Sequence, residues 1–510
     1  MFVRRKPNKS GSFSIQVVDK VRGHYKLIKS FGSSKSEENL AAMEKDASDF
    51  ISTYGGQTVI DFERCRKEEE RAHAEKLFES IVDIRQDGVR LILEPIYNAI
   101  GFNALGDETL KFLSIARICQ PKSKVATVEY LKRYFDEDVN LNRIYRYMDT
   151  LYNTRREQIQ QISVEHTRQL LGGRIGIVFY DVTTLYLETA REDVLRSPGF
   201  SKDGKTAESQ IVLGLLVSRD GYPLSYNIFN GGQYEGRTMI PIIDDFVQRF
   251  SLTDFIVVAD AGLLSRKNIT QLKQAGYKFI LGGRIKKESK TVQDWVLSLE
   301  KNPHNLNETV INGDERIIVS YSEQRAAKDR HNRDKGIQRL SKAYSSGKII
   351  NKRNVNQRGY NKFLVIENDV MVSIDEDKIA ADAQWDGLKS YITNTDLAAG
   401  EVIDQYHGLW VVERAFRITK GTLEARPIFH FTERRIEAHI CICFVAYELY
   451  KELERLLRLL GIGLSVDKVL DIAKTISTVT VQLPDGTVVS KTLLTRSEQK
   501  MLHVLLPSSI

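Results

Sequence analysis

Three acidic residues stand where an acid needs explaining. Asp181 sits inside "FYDVTTLYLE", Phe179 to Glu188, a run of aromatic and β-branched residues with the composition of a buried strand. Asp260 ends the short apolar run "FIVVAD", and "AGLLSRKN" follows it as a loop opening a helix. Glu413 lies in "DQYHGLWVVERAFRITKG", a helical pattern in which Tyr406, Glu413 and Lys420 are spaced seven apart. Seven residues drift only about 20° around a helix, so the spacing places all three on one face, with Trp410 and Arg417 beside them. Each acid alone has an ordinary reading: a strand end, a turn cap, or a Glu413–Arg417 ion pair on a solvated face. Together, two strand-borne carboxylates and one helix-borne carboxylate form a set able to hold hard divalent cations, which take oxygen ligands. Two such ions can stabilise both the attacking and the leaving oxygen of a phosphoryl displacement. Cationic Arg417 and Lys420 are better suited to gripping a phosphate oxygen than to facing metal.

The elements that must position these groups follow from the pattern along the chain. Residues 1–35 read as an amino-terminal β-hairpin bending near Arg22-Gly23, and residues 36–170 as a helical region compatible with DNA binding. "ESIVDIRQDGVRLILEPIYNAIGF" belongs to that helical reading. Residues 171–285 alternate strands and helices, an α/β unit that starts as an antiparallel meander. Residues 286–388 are polar and basic: from Arg316 to Lys362 there are thirteen Lys or Arg against three acids. That imbalance favours contact with a polyanion, with Lys328, Arg330 and Arg333 as candidate contacts. Residues 389–440 carry the Glu413 helix, expected to run on through "GLWVVERAFRITKGTLEARPIF". Residues 441–510 are mainly helical, with a small hairpin expected across Asp485-Gly486.

Totals narrow the classes. A chain of 510 residues with 42% hydrophobic and 28% charged residues exceeds one ordinary core and is not disordered. A net charge of +7 permits a nucleic-acid partner without demanding one. Cys65, Cys119, Cys441 and Cys443 show no paired CxxC spacing, which argues against structural zinc and for a reducing compartment. "MFVRRKPNKSGSFSIQVV" has no apolar signal region and no stretch reaches the length of a membrane span, so a cytoplasmic protein is expected.

"YDVTTLYLE", "VADAGLLS" and "YHGLWVVERAFRITK" resemble the three acidic motifs of DDE transposases from bacterial insertion sequences. The last is similar to that group's Tyr–Arg–Glu–Lys helix signature: Tyr406, Glu413 and Lys420 match, and Leu409 stands at the arginine position. Arg414 or Arg417 would then supply the missing phosphate contact. "GFSKDGKTAESQIVLGL" and "LEARPIFHFTERRIEAHI" extend the resemblance, which covers about residues 174–440.

The resemblance implies an α/β fold with a ribonuclease H-like core, a mixed sheet flanked by helices. A β-rich basic insertion interrupts it, and helical amino- and carboxy-terminal regions flank it. The first Asp would sit on the first strand, the second after the fourth, and the Glu on a later helix. The gaps, 260 − 181 = 79 and 413 − 260 = 153, fit that order if the second holds the insertion. It also implies Asp181, Asp260 and Glu413 as catalytic metal ligands for two Mg²⁺ ions, with Mn²⁺ substituting. Tyr406 and Lys420 would hold phosphate near the scissile bond, and Trp410 would either stack on an unpaired base or pack in a core. Partners would be double-stranded DNA, both terminal inverted repeats and target, with a homodimer in the synaptic complex and a nucleoid location when acting. A cutting-only nuclease of the same fold and a catalytically decayed DNA-binding relative are the rivals. A glycosidase built on paired carboxylates is disfavoured by the basic tract.

Overall fold

The computed structural model describes residues 1–56, 62–188, 191–199, 208–345, 359–367 and 371–507. Two compact units emerge, residues 1–84 with 479–490, and residues 85–478 with 491–510.

In the smaller unit β1 (Phe2–Pro7), β2 (Phe13–Val21) and β3 (His24–Ser34) form an antiparallel sheet in that order. Arg22 and Gly23 both take positive φ, 49° and 81°, the geometry a two-residue hairpin turn demands. The expected hairpin is therefore present, with β1 added as a third strand. Helix α1 (Glu37–Thr53) covers it, laying Leu40 and Ala47 against Ile15 and Val17. After α2 (Phe62–Glu79) comes β4 (Ile81–Arg85). This corrects the helical reading of "ESIVDIR": the segment alternates in burial and pairs as a strand. Periodicity over so short a run cannot outweigh a partner strand supplied from nearly 400 residues away.

The larger unit opens with helices α3 (Gly88–Ile100), α4 (Glu108–Cys119), α5 (Lys124–Phe135), α6 (Leu141–Thr154) and α7 (Arg156–Leu170). Side chains of Asp107, Ser123 and Asn140 cap α4, α5 and α6. The meander follows as β5 (Ile177–Tyr186), β6 (Gln210–Ser218) and β7 (Pro223–Asn230). Then come α8 (Met239–Phe250), β8 (Ile256–Ala259), α9 (Arg266–Gln274) and β9 (Lys278–Gly282). Strands β5, β8 and β9 are parallel neighbours, while β6 and β7 run antiparallel. The order β7-β6-β5-β8-β9 is that of the ribonuclease H-like core.

Between β9 and the next core strand lie α10 (Lys290–Ser298), β10 (Asn307–Asn312), β11 (Glu315–Tyr321), α11 (Glu323–Ser345), β12 (Leu364–Glu367), β13 (Met371–Ile374) and α12 (Glu376–Ala383). Strand β14 (Leu388–Thr393) then pairs with both β9 and β11. The inserted hairpin β10–β11 thereby extends the central sheet to the order β10-β11-β14-β9-β8-β5-β6-β7.

Past β14 come α13 (Ala399–His407), α14 (Trp410–Arg417), a π-helical turn (Ile418–Thr422), α15 (Glu433–Leu459) and α16 (Val466–Ala473). The chain ends with β15 (Ser477–Gln482), β16 (Val488–Leu493) and α17 (Ser497–Met501). The hairpin β15–β16 turns at Asp485-Gly486 as expected, and β15 is the partner of β4. Helix α15 is buried along most of its length. Of its acids, Glu452 is bonded by Tyr222 and Arg455 and one oxygen of Glu448 by Ser163, whereas Glu448 Oε1 and Glu437 Oε2 are buried without a hydrogen-bond partner among the described residues. Among the described residues no helix is long and apolar enough to cross a membrane.

Candidate active site

Strand alternation settles which way the two aspartates face. Phe179 and Val258 point into the core shared with Tyr406, Leu409, Val412 and Phe416, whereas Tyr180 and Ala259 point into the core on the opposite side of the sheet. Asp181 and Asp260 lie two positions beyond Phe179 and Val258, so both face the α13–α14 side. The parallel register pairs Tyr180 with Ala259, which brings the next residues, Asp181 and Asp260, to one level on adjacent strands. Neighbouring strands are about 4.8 Å apart. Asp181 is half-buried and Asp260 exposed at the strand's end.

The helix carrying the third acid departs from the sequence expectation of one continuous cylinder. It breaks at Gly408-Leu409, where Leu409 N–H bonds to Tyr406 and Val411 N–H to Gly408, tightening the coil. It widens again in the π turn that contains Lys420. The tight junction lets α14 lie directly across β5: a Cβ on Gly408 would stand 2.4 Å from the Phe179 ring. Seven-residue spacing therefore does not keep Tyr406, Glu413 and Lys420 on one face. Tyr406 is buried and Glu413 exposed, with Lys420 between them in exposure. Trp410, 57% exposed, shares the outer face of α14 with Glu413 and Arg417, so the core-packing reading of Trp410 does not hold. Leu409 is buried in the core, which accounts for an apolar residue at that position. Arg414 is tied to Glu454, leaving Arg417 as the exposed cation of this helix.

Tyr406 instead reaches the aspartates. Its hydroxyl donates a 2.7 Å hydrogen bond to Oδ1 of Asp260. Gly282, next in register to Asp260 on β9, makes room for it: a Cβ there would come within 2.4 Å of the Tyr406 oxygen. Burial, then the Asp260 charge, pushes the Tyr406 phenol far above its usual range, so it donates at any physiological pH. Lys389 lies 4.5 Å from the Tyr406 ring centre and 5.1 Å from that of Tyr391. Burial and the neighbouring Arg325 hold its ammonium below the usual range, against the pull of Asp260.

A fourth acid lies close by. Oδ2 of Asp260 and Oε2 of Glu235 stand 3.8 Å and 3.9 Å from the point a Cβ on Gly262 would occupy. Buried Tyr180 is raised chiefly by burial and further by Asp181 and Glu235 together. Sequence spacing does not single out Glu235, because its turn "NGGQYEGRT" carries no spacing relation to either aspartate. Only the sheet brings them together.

Asp181 and Asp260 suit one edge of a divalent-cation site by donor type and register. The three-carboxylate set is not assembled: among the described residues no group of three His, Cys, Asp or Glu could hold a metal ion.

The basic insertion divides by helix face. Lys328 and Arg330 are exposed on α11. Arg333 is not: it is 6% exposed and makes two 2.6 Å bonds to the Asp386 carboxylate. Its expected place on an open cationic face is corrected, because its charge is already spent on a buried partner. A cavity of about 530 Å³ lies beside it, lined by Gly283, Arg284, Arg325, Arg333, Lys362 and Lys389 among others. The rest of the basic tract, residues 346–358, and residues 200–207 of "GFSKDGKTAESQIVLGL" lie outside the described residues.

These features define an α/β protein with two in-register acids on the central parallel strands of a ribonuclease H-like sheet. The chain belongs to the family described as the transposase DDE domain, which matches residues 172–449, more than half of its length. No curated protein matches it at a significant level. Among solved structures it is similar to a piggyBac transposase synaptic complex with hairpin DNA, at 8% identity and a TM-score of 0.39, over 78% of this chain and 75% of that one. It is also similar to a Mos1 transposase paired-end complex with the left transposon end, at 12% identity and a TM-score of 0.16, over 46% and 71%. A Mos1 mariner paired-end complex with Mn gives 13% identity and a TM-score of 0.15, over 48% and 74%.

Proposed function

We propose that this chain is a DNA transposase that cleaves the ends of an insertion sequence and joins the freed 3′-hydroxyl to target DNA. The observation that supports it is the Asp181–Asp260 pair, held at one level on parallel strands within the family-matched region. Asp181 and Asp260, with Glu413 as third carboxylate, are the residues that would hold Mg²⁺, or Mn²⁺ in its place. A divalent cation held there would supply charge neutralisation for an in-line displacement at phosphorus. Tyr406 orients Asp260 through its hydrogen bond, so that carboxylate meets the substrate in one rotamer. Exposed Glu413, Trp410 and Arg417 present one helix face to the DNA, and Lys420 follows on the next turn. Lys328 and Arg330 add sequence-independent phosphate contacts. A homodimer would bring two ends together in the synaptic complex.

The test is end-labelled DNA from the regions flanking the gene, incubated with the protein and with Glu413→Gln, in Mg²⁺ or EDTA. Metal-dependent nicks at the ends of an inverted repeat, absent in the variant, are expected. Binding with no cutting in Mg²⁺ or Mn²⁺ would replace this reading with a DNA-binding protein that has lost its chemistry. Cutting without any joined product would leave a nuclease.

A further inference from the structure

A second cluster of cations has no part in the site above. A cavity of about 380 Å³ lies between the α4–α5 corner and the loop after the π turn, lined by Arg117, Lys122, Lys124, Glu424, Arg426 and His430 among others. Four of these are basic Lys or Arg side chains and one is acidic. Arg117 is 8% exposed and Lys124 5%. Among the described residues neither has a carboxylate within ion-pair distance; the side-chain hydrogen bond of Arg117 goes to Nδ1 of His439, at 3.2 Å. The other ring nitrogen of His439 donates to the Ala425 carbonyl at 3.0 Å, which fixes the tautomer and ties Arg117 to the loop.

Burying a cation with no counter-charge costs several kcal/mol, and an anion between two basic groups kept side by side would offset that cost. Lys124 is also the first residue of α5, a twelve-residue helix whose amino-terminal dipole adds positive potential at the same place. His430 and His439 stay neutral, held down by burial and by these same cations.

The loop is joined to the catalytic strand. Ile428 N–H bonds to the Tyr186 carbonyl at 3.1 Å and Glu188 N–H to the Ile428 carbonyl at 3.2 Å, continuing β5 in parallel. Tyr186 stands five residues beyond Asp181 on β5, about 17 Å along the strand. Exposed Phe429 lines the cavity beside His430.

We propose that this cavity is a phosphate site, and that in the functional complex it holds a backbone phosphate of the DNA bound across Asp181. The anion site rests on the buried cations alone; DNA as the source of the phosphate rests on the transposase reading.

Thermal unfolding of the full chain in inorganic phosphate, against chloride at equal ionic strength, tests the site, alongside binding to a random-sequence DNA duplex over a salt series. Wild-type protein should be stabilised by phosphate beyond chloride, and Lys124→Met should lose that increment. Lys124→Met should also bind the duplex roughly tenfold more weakly. Its log–log salt slope should be shallower by about 0.9. Lys122→Gln, at an exposed position, tests the same cavity should the buried variant fold poorly, with a smaller loss in both readouts. No phosphate-specific stabilisation of the wild type overturns the site. Phosphate stabilisation with DNA binding untouched in both variants overturns DNA as the source. Absence of strand cleavage alongside intact phosphate binding counts against the transposase reading and not against this site.

Discussion

The hydroxyl of Tyr406 and the carboxylate of Asp260 are joined by a 2.7 Å hydrogen bond, although 146 positions separate them. It binds the helix α13 to the end of β8. Tyr406→Phe keeps the ring packed on Tyr391, 4.9 Å between centres, and removes only the donor. A hydrogen bond to a charged group is worth about 1.5–3 kcal/mol, so single-turnover cleavage of end-labelled DNA should slow roughly 10- to 100-fold with the fold intact. An unchanged rate would show that Tyr406 merely packs.

Gly408 holds α14 against β5, and no larger residue fits beneath the Phe179 ring. Gly408→Ala should cost about 1–3 kcal/mol in denaturant unfolding, the usual price of overpacking. By shifting α14, which carries Glu413, it should also cut strand cleavage. Wild-type stability in this variant would mean that the helix junction is not tight.

The two faces of α11 should separate stability from affinity. Arg333→Gln strands the buried Asp386 carboxylate and should destabilise by about 3 kcal/mol. Lys328→Gln, Arg330→Gln and Lys335→Gln combined should leave the unfolding midpoint within about 0.5 kcal/mol of wild type. The same triple variant should flatten the salt dependence of DNA binding by up to about 2.7 in log–log slope. A filter-binding salt series with an unchanged slope would show that this face is only solvated.

Burial, with Arg117 beside it, pulls the Lys124 ammonium from 10.5 down to about 7. Arg117, Arg426, Lys122 and the neutral His430 and His439 face it, with Glu424 the acid of the cavity. A lysine whose folded pKa is depressed costs stability fully below that pKa, and the cost fades as pH climbs towards the unfolded value. Lys124→Met should therefore be more stable than wild type near pH 6, and its advantage should shrink by pH 9. Saturating phosphate should shrink the pH 6 advantage as well. A constant difference between the two proteins across that range would show that Lys124 titrates normally.

Composition and local pattern were enough to place the acids on their elements. An apolar β-branched run makes a strand whatever its neighbours, so β5 and β8 with Asp181 and Asp260 were legible, as were the turns at Arg22-Gly23 and Asp485-Gly486. What the sequence could not carry was anything set by partners far along the chain. β4 is a strand because β15 pairs with it, and the Glu413 helix breaks because Gly408 must settle on Phe179. By its local sequence Arg333 is a surface cation, since nothing in α11 announces Asp386 fifty-three residues on. Glu235 and the Arg117–Lys124 pair are invisible in the sequence for the same reason. Side-chain proximity and burial arise from packing, and a linear pattern reports only the periodicity of its own element.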